Sequence, residues 1–445
     1  MRLRQTIEGT EAMMMSLQQQ MACFSRMPVV LGTLLLASVW LAGPVQAEKG
    51  FNPAQAALDT DNSGALSPSE APAIIQPYFA AADADKSGAL SPRELHELLA
   101  QLRAPRIPDG QTPPPAPDLV PAGEAIAWSD IDAYLARMTK DLPLEGASII
   151  VMKNGRIVHE QNFGLYDSTT QIPIASATKW LNAALIMTLV DEGKLSLDAP
   201  ISTYLDWADA EKGTATLRQM LSHTGGFGPG HLAEQPRSLS LEASARDAFS
   251  RPPVGPPGAQ FRYGGVGMQI AAYIAEKVSG QPYAELFEQR LAGPLSMSDT
   301  YIGFAQRREP RASITNPIAA AGGYSTAADY ARFLEMLSGG GEFRGRRILS
   351  QAAISEMFQD YTGRSARLGQ ATSVGDAGGY GIGAWCNRIE ADRRCSAVQS
   401  GGAFGTSPTV LVDDKIAILL MVKDRMPLVR DHWQRITTAV LALLE

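Results

Sequence analysis

The sequence predicts an α/β protein of the α+β kind: an antiparallel sheet flanked by helices and joined to a mostly helical subdomain, with a small α-helical module in front. Three observations predict this architecture. Strand-like runs with hairpin turns lie near both ends of residues 122–445, and residues 176–360 between them are mostly helical in pattern. A proline-rich stretch at 104–121, which we interpret as a linker, separates this region from an acidic repeat at 51–103. Strands from both ends around a helical insertion imply one sheet built from the termini.

The composition excludes several classes of protein. The 445 residues are 45% hydrophobic and 19% charged, with a net charge of −7 and only 3 Cys. A chain this apolar is not intrinsically disordered, and so few cysteines cannot build a disulfide scaffold. The acidic balance argues against a nucleic acid as partner, because nucleic-acid binders present a basic face.

The N-terminus has the pattern of an export signal. Residues 29–42 form an apolar run of roughly 14 residues, shorter than the about 20 that a membrane-spanning helix needs. Arg26 precedes this run, and Val45-Gln46-Ala47 offers a small-x-small cleavage site. We therefore predict a cleaved signal peptide over residues 1–47 and a periplasmic or secreted protein with no stable membrane span after cleavage. An uncleaved anchor is the alternative.

Cleavage would remove Cys23 and leave Cys386 and Cys395, nine residues apart. In an oxidising compartment this pair predicts a disulfide that closes a surface loop. A metal site or a catalytic thiol is less favoured, because no His and no second Cys pair lies nearby in the sequence.

Two acidic segments of the 51–103 module fit the twelve-residue EF-hand calcium loop. Residues 59–70 read DTDNSGALSPSE and residues 83–94 read DADKSGALSPRE. Calcium takes six to eight oxygen ligands, which such a loop supplies from positions 1, 3, 5, 7, 9 and 12. The predicted ligands are Asp59, Asp61, Ser63, the Ala65 carbonyl, Ser67 and Glu70 in the first loop, and Asp83, Asp85, Ser87, the Ala89 carbonyl, Ser91 and Glu94 in the second.

The repeated core sequence favours calcium binding over the alternative of two solvated acidic loops. Gly64 and Gly88 occupy position 6, where the loop turns sharply, and Leu66 and Leu90 are expected to pair the loops through a short β-bridge. Three carboxylates per loop predict a weak site suited to extracellular calcium, with a stabilising, regulatory or surface-tethering role. Residues 71–82 would form one short helix shared by both loops.

The larger region has predicted strands near each end and a helix at each end. We predict helices over 128–140 and 430–444, and strands over 147–152, 156–162, 409–412 and 416–422. The strands of each pair are joined by Lys153-Asn154-Gly155 and by Asp413-Asp414-Lys415, which are hairpin signals.

A candidate nucleophile lies at the start of a predicted helix that runs to Glu192 and stops at Gly193. Ser176 and Lys179 are three residues apart, so both would lie on one helix face with the lysine amine in reach of the serine hydroxyl. The positive end of the helix dipole favours an anionic oxygen there, and a desolvated lysine can act as a neutral base. The spacing alone is a weak signal, because such pairs also occur by chance.

Further motifs give this pair a context. In chain order they are Ile174–Lys179, GKLSLDAPI from Gly193, Leu217–Phe227, FRYGG from Phe261, AGGYST from Ala321 and QSGG from Gln399. Together they resemble the serine β-lactamase and penicillin-binding-protein superfamily, in its class C and family VIII esterase-like branch, over residues 125–445. The resemblance implies a β-lactamase/transpeptidase-like fold with Ser176 as the acylated nucleophile and Lys179 as its activator. Tyr263 would shuttle protons to the leaving group and from the deacylating water.

The resemblance also implies roles for the third motif. Gln399, Ser400 and Gly401 would bind the substrate. The N–H of Gly402 would complete an oxyanion hole together with the N–H of Ser176.

Two positions depart from the family pattern, and both departures bear on the substrate. Gly265 stands where the second motif usually has Asn, and neutral Gln399 stands where the third usually has a cationic residue. In the family these groups help hold a substrate's amide and carboxylate, so their loss favours ester hydrolysis over β-lactam or D-Ala-D-Ala recognition. His223, in a Ser-His-Thr-Gly-Gly turn, is interpreted as structural rather than as a general base.

These observations predict an exported, carboxylesterase-like serine hydrolase that acts on a small ester or amide and needs no cofactor for catalysis. One alternative within the superfamily is a D,D-peptidase or β-lactamase with a peptidoglycan-related substrate. Another is a calcium-dependent, non-catalytic cell-envelope binding protein. The second alternative is disfavoured, because a catalytically dead scaffold has no physical need to keep Ser176, Lys179 and Tyr263.

Overall fold

The computed structural model describes residues 59, 61, 63–71, 79–83, 85–95, 116–119, 125–142, 144–228, 230, 235–304, 310–363 and 378–444. The chain divides into two compact units, Met1–Gln111 and Thr112–Glu445. The predicted signal peptide lies outside the described residues. Within the part that is described, no helix is both long enough and apolar enough to cross a membrane.

The α-helices are numbered in chain order. They are α1 Phe79–Ala82, α2 Trp128–Asp141, α3 Thr178–Asp191, α4 Leu217–Leu221, α5 Leu241–Ser250, α6 Val266–Ser279, α7 Tyr283–Phe287, α8 Ala327–Ser338, α9 Gln351–Met357 and α10 Met426–Leu444. Short 3-10 turns occur at Ile201–Thr203, Lys212–Thr214 and Arg311–Ser313, and a π-helical stretch occurs at Glu288–Ala292. Of the shared helix predicted at 71–82, only α1 and residue 71 lie within the described residues.

The strands form three antiparallel sheets. The strands are β1 Gly146–Lys153, β2 Arg156–Gly164, β3 Ile172–Ala175, β4 Tyr301–Ile302, β5 Gly323–Ser325, β6 Glu342–Phe343, β7 Arg346–Arg347, β8 Gly379–Tyr380, β9 Trp385–Ile389, β10 Cys395–Gln399, β11 Ser407–Leu411 and β12 Ile416–Met421. The main sheet has seven strands in the order β2-β1-β12-β11-β10-β9-β8, and the smaller sheets have the orders β3-β5-β4 and β6-β7. Because β1 pairs with β12, the prediction of one antiparallel sheet built from both ends is confirmed.

The central strands of the main sheet separate two hydrophobic cores. Side chains alternate between the faces of a strand, so Ile150 and Met152 of β1 join the core that contains α3, while Ile149 and Val151 join the core that contains α2 and α10. Helix α3 is apolar on all sides and is buried from Thr178 to Leu189, as expected for a helix at the centre of a domain. The predicted hairpin between β1 and β2 is present, with both Asn154 and Gly155 at positive φ as a type I′ turn requires.

The end of the predicted linker belongs to the second unit. Ala116 is buried, Leu119 packs against the core between α2 and α10, and Asp118 pairs with Arg435 of α10. Part of the predicted spacer, at residues 116–119, therefore packs as part of the second unit. The rest of that stretch lies outside the described residues.

The predicted disulfide is present. Cys386 of β9 and Cys395 of β10 are bonded, with Cα atoms 5.2 Å apart. Both are buried in the core that contains α3, whereas residues 391–393 of the intervening hairpin are exposed. The bond therefore closes the surface hairpin between β9 and β10, as expected, and its buried sulfur atoms tie these two neighbouring strands together from the core side.

Candidate active site and calcium loops

Ser176 lies in a tight turn that connects β3 to α3. The helix begins at Thr178 rather than at Ser176, and Ala175, immediately before the serine, has a φ of +46°. A left-handed conformation is costly for a residue with a Cβ and persists only where the surroundings enforce it. Here Thr178 Oγ1 donates to the Ala175 carbonyl and accepts the N–H of Gly323 from β5 (2.8 Å), so the turn is fastened to the smaller sheet.

Lys179 lies directly beside the serine. Its Nζ is 3.0 Å from Ser176 Oγ and 2.9 Å from the carbonyl oxygen of Ala320, and its side chain is buried. The same Nζ lies 4.7 Å from the centroid of the Tyr263 ring. The structure thus brings together the three residues that sequence analysis placed in the catalytic group, although Tyr263 is 84 positions beyond Lys179.

Tyr263 is enclosed by aromatic rings. His223 lies 4.6 Å from it between ring centroids, and Tyr380 lies 6.0 Å away. Trp385 stacks against it at 5.0 Å with an interplanar angle of 27°. The sequence patterns did not connect Tyr380 or Trp385 with the site. Their position on the β8–β9 hairpin, just before the strand that carries the third motif, was the signal available to connect them with the site.

His223 is part of this enclosure and not an exposed base. It is buried, it has a φ of +60°, and burial, with a smaller contribution from the positive charge of Lys179, holds the pKa of its imidazole well below the usual range. Its Nε2 has no hydrogen-bond partner among the described residues. These features agree with the interpretation of the Ser-His-Thr-Gly-Gly turn as structural.

The third motif reaches the nucleophile through Ser400 and Gly402. Ser400 Oγ lies 3.5 Å from the carbonyl oxygen of Ser176 and 3.3 Å from that of Gly383. Gly402 packs so tightly that a Cβ there would overlap the carbonyl oxygen of Ile174. Both contacts fix the end of β10 against the turn that carries Ser176.

Two predicted roles in this motif do not match the structure. The N–H of Gly402 is donated to the carbonyl oxygen of Thr406 (2.7 Å) in the hairpin between β10 and β11, so it is not available as the second oxyanion donor. The side-chain amide of Gln399 donates to Ser407 Oγ (2.9 Å) and to Thr409 Oγ1 (3.3 Å) on β11. These bonds hold the glutamine against the sheet instead of directing it to a substrate.

The two predicted calcium loops have nearly the same geometry. In each loop the three carboxylates converge, with oxygens within 4.8 Å of one another: Asp59, Asp61 and Glu70 in the first, and Asp83, Asp85 and Glu94 in the second. Gly64 and Gly88 have φ values of +81° and +86°, as position 6 requires. Hard carboxylate oxygens gathered in this way fit calcium.

Backbone donors hold these carboxylates in place. The N–H groups of Ser63 and Gly64 donate to the two oxygens of Asp59, each at 2.9 Å, and Ser67 Oγ donates to Glu70 Oε2 at 2.6 Å. The second loop repeats these bonds at matching positions. Leu66 and Leu90 exchange two backbone hydrogen bonds of 2.8 Å, which form the predicted bridge between the loops.

Comparison with known families decides the fold family of the larger unit. A sequence profile of the Beta-lactamase family matches residues 131–441. The chain belongs to the beta-lactamase family. A profile of the EF hand matches residues 74–99, which include the second calcium loop.

Relatives within the beta-lactamase family are diverse. PbpX of Bacillus subtilis, whose name places it with the penicillin-binding proteins, is 26% identical over 58% of this chain and 70% of its own length. Esterase EstB of Burkholderia gladioli is 27% identical over 41% of this chain and about half (53%) of its own length. The structure of a penicillin-binding protein homologue from Pyrococcus abyssi superposes with a TM-score of 0.58 at 23% identity, covering 71% of this chain and 77% of that one.

The beta-lactamase-family site of this chain contains the parts that acyl transfer requires. It holds a hydroxyl nucleophile with an amine in hydrogen-bond contact, and a phenol ring packed against that amine. The N–H of Ser176 is donated to no described protein acceptor and lies close to the N-terminus of α3, where the helix dipole favours negative charge.

Proposed function

We propose that the protein is an exported serine hydrolase that cleaves a carboxylic ester, or an amide, through an acyl-Ser176 intermediate. The observation that carries this proposal is the 3.0 Å separation between Lys179 Nζ and Ser176 Oγ, next to the ring of Tyr263. A nucleophile within hydrogen-bond reach of a base, with a third group in contact with that base, is the arrangement that activates a serine. The similarity to an esterase supports an ester as the substrate.

In the proposed reaction, Ser176 Oγ attacks the carbonyl carbon of the ester while its proton passes to the amine of Lys179, which reacts in its unprotonated form. The carbonyl electron pair moves to the oxygen, and the tetrahedral intermediate collapses as the leaving alkoxide takes a proton delivered through Tyr263. Water then attacks the acyl-serine by the reverse route and releases the carboxylic acid. The bond from Lys179 Nζ to the Ala320 carbonyl (2.9 Å) keeps the amine in position through both halves.

We assign the oxyanion hole to the N–H of Ser176 and, in place of Gly402, to the N–H of Gly401. The N–H of Ser400 is donated to the carbonyl oxygen of Pro408 in β11. The N–H of Gly402 is donated to the carbonyl oxygen of Thr406, the residue just before β11. Because N–H directions alternate along an extended strand, the N–H of Gly401 points away from β11. Donors held rigidly where charge develops are the largest single contribution in reactions of this type.

The acyl and alcohol parts of the substrate are proposed to be uncharged. Gly265 offers no side-chain amide, and it is the N-cap residue of α6 without a capping side chain. Gln399 is neutral and is bonded to β11. A site with these two residues has lost the groups that hold an amide and a carboxylate in the family pattern.

Calcium binding by the first unit is a separate part of the proposal. The carboxylates and serine oxygens of both loops, with the carbonyls of Ala65 and Ala89, would hold one ion each and bring the two loops to a fixed geometry. Export, inferred from residues 1–47, would place these weak sites where calcium is abundant.

The nucleophile assignment is tested with a fluorescent fluorophosphonate, which labels activated serines. The full chain should be labelled and should hydrolyse p-nitrophenyl esters, and Ser176→Ala should lose both properties. Ser279→Ala is the matched control, because Ser279 Oγ donates to the Glu276 carbonyl and accepts the N–H of Gln281, both at the C-terminal end of α6. Undiminished labelling of Ser176→Ala would refute the proposal.

The alternative within the family is tested by the same acyl-enzyme chemistry. Covalent trapping of a fluorescent penicillin at Ser176 with little ester turnover would replace the esterase assignment by a penicillin-binding one. Turnover of esters with graded acyl chains, without penicillin trapping, is the expected result.

A further inference from the structure

The position of the Tyr263 ring is set by its neighbours more than by its own backbone. Tyr263 lies outside any helix or strand, in the segment between α5 and α6, and it is followed by Gly264 and Gly265. Such a segment has more conformational freedom than a paired strand. The ring must nevertheless stay within proton-transfer reach of the serine or lysine, about 2.6–3.2 Å between heavy atoms in a productive complex.

Trp385 is the neighbour with the most parallel contact. Its ring lies 5.0 Å from that of Tyr263 at an interplanar angle of 27°, whereas His223 and Tyr380 meet the same tyrosine at 57° and 68°. An offset stack fixes the plane of a ring, and edge contacts restrict its sliding. Lys179 is packed against the same ring, so a shift of Tyr263 would also disturb the activating amine.

Trp385 itself is held rigidly. It is the first residue of β9, it pairs with Tyr380 on one side and Gln399 on the other, and only 5% of its surface is exposed. Its ring also meets the rings of Tyr380 at 4.8 Å and Phe261 at 5.6 Å. The next residue, Cys386, is bonded to Cys395 of β10. The tryptophan is thus anchored to the main sheet, in contrast to the tyrosine it contacts.

We infer that Trp385 is a positioning residue for catalysis, which holds the Tyr263 ring where it can move protons between Ser176, Lys179 and the leaving group. This inference rests on the proposed function. Under this inference the start of β9 and the neighbouring Cys386–Cys395 disulfide contribute to catalysis by anchoring Trp385. The proposed mechanism does not otherwise use either of them.

The test uses two substrates that differ in how much they need a proton donor. A p-nitrophenyl ester releases a stable phenolate without help, whereas an alkyl ester with the same acyl group must have its leaving alkoxide protonated. Misplacing a catalytic group by about 1 Å costs about 10²-fold in rate. We therefore expect Trp385→Leu to lose about 10²-fold in kcat/KM, which reports the acylation step, for the alkyl ester and much less for the p-nitrophenyl ester. Trp385→Phe, which restores a ring, should recover most of the loss.

Trp207→Leu is the matched control. Trp207 also stacks on a tyrosine, Tyr273, at 6.3 Å and 22°, but neither ring touches the site. Its removal should lower thermal stability and leave unchanged the ratio between the kcat/KM values for the alkyl and p-nitrophenyl esters. A second test is a double-mutant cycle, in which Trp385→Leu should add little to the loss already caused by Tyr263→Phe. If the leucine variant does not fold, Trp385→Met takes its place in both tests.

Three outcomes overturn the inference. The first is an unchanged ratio between the kcat/KM values of the alkyl and p-nitrophenyl esters in the Trp385 variants. The second is additive losses in the double-mutant cycle with Tyr263→Phe, and the third is no recovery of activity in Trp385→Phe. Each can occur while Ser176→Ala remains inactive, so failure of this inference is distinct from failure of the proposed function. Labelling of Ser176→Ala, in contrast, would remove the basis of both.

Discussion

The predicted calcium loops and the proposed catalytic site are built in opposite ways. All ligands of one loop lie within twelve consecutive residues, and the backbone of that loop donates to its own carboxylates, as Ser63 and Gly64 do to Asp59. The catalytic group instead joins Ser176, Lys179, Tyr263 and Ser400, which come from different elements. The first kind of site needs little more than its own loop, and the second needs the whole fold.

This difference decides where each site is vulnerable. Calcium binding by one loop should depend mainly on the predicted ligands of that loop, because their oxygens converge through local hydrogen bonds. The activity of the proposed catalytic site should be sensitive to substitution of residues that never touch a substrate. Packing between distant elements fixes the distances between its side chains.

The largest effect is expected from Gly402→Ala. A Cβ at this position would overlap the carbonyl oxygen of Ile174 and approach Ala175, and the turn that carries Ser176 follows directly. The overlap must push the end of β10 and the nucleophile turn apart. Because a displacement of about 1 Å costs about 10²-fold, kcat/KM for a p-nitrophenyl ester should fall by about that factor.

Gly280→Ala is the control for this substitution. Gly280 ends α6 with a φ of +69° and open space around its Cβ position, and the helix places it about 21 Å from the end near Tyr263. Its replacement strains the backbone without a collision, so thermal stability should fall while kcat/KM of the folded enzyme is retained. Equal activity losses in both variants would mean that Gly402 matters only for stability.

A smaller and strictly local effect is expected in the calcium loops. Glu70→Gln and Glu94→Gln each remove the carboxylate at position 12, which would ligate calcium with two oxygens. Calorimetry on the full chain should find two sites in the unmodified protein, one in each single variant and none in the double variant. Binding that is unaffected in the double variant would show that these oxygens do not hold the ion.

The contrast also explains how much the sequence could predict. The convergence of the three carboxylates in each loop was readable, because spacing within twelve residues determines their geometry. The β1–β2 hairpin and the pairing of β1 with β12 were readable as well, because Asn154-Gly155 and the apolar strand patterns are local signals. The contact between Ser176 and Lys179 was readable from their three-residue separation together with the ordered set of further motifs.

Features that depend on tertiary contacts were not readable. The direction of the Gly402 N–H follows from the register of β10 against β11, in which it faces Thr406. The burial of the disulfide follows from β9 and β10 being inner strands of a sheet whose order the sequence does not state. The contact between Trp385 and Tyr263 joins residues more than a hundred positions apart, and neither has a spacing motif that links it to the other.

The smallest effect concerns the pH dependence of folding stability. The buried histidines of the second unit and the carboxylates of the predicted calcium loops titrate in different pH ranges. Burial lowers the pKa of His223, with the charge of Lys179 adding to the effect, and burial also lowers the pKa of His432, whose Nδ1 is bonded to Tyr134. Both imidazoles are neutral in the folded and unfolded chains above about pH 6.5. As the pH falls below that value the unfolded chain binds protons first, so folding stability is lost from about 6.5 downward, by at most about 1.4 kcal/mol per pH unit for each histidine.

The calcium loops should not contribute over the same interval. Hydrogen bonds from Ser63 lower the pKa of Asp61, and those from Ser87 lower that of Asp85, so both carboxylates keep their charge throughout this interval. The free energy of unfolding, measured with urea between pH 5 and 7, should therefore report the second unit. Its slope against pH should be smaller in His223→Asn. Asparagine is the suitable replacement because it tolerates the left-handed φ of this position. An unchanged slope would mean that the imidazole of His223 accepts a proton in the folded protein, and the apolar enclosure around Tyr263 would then be more open to water than its packing indicates.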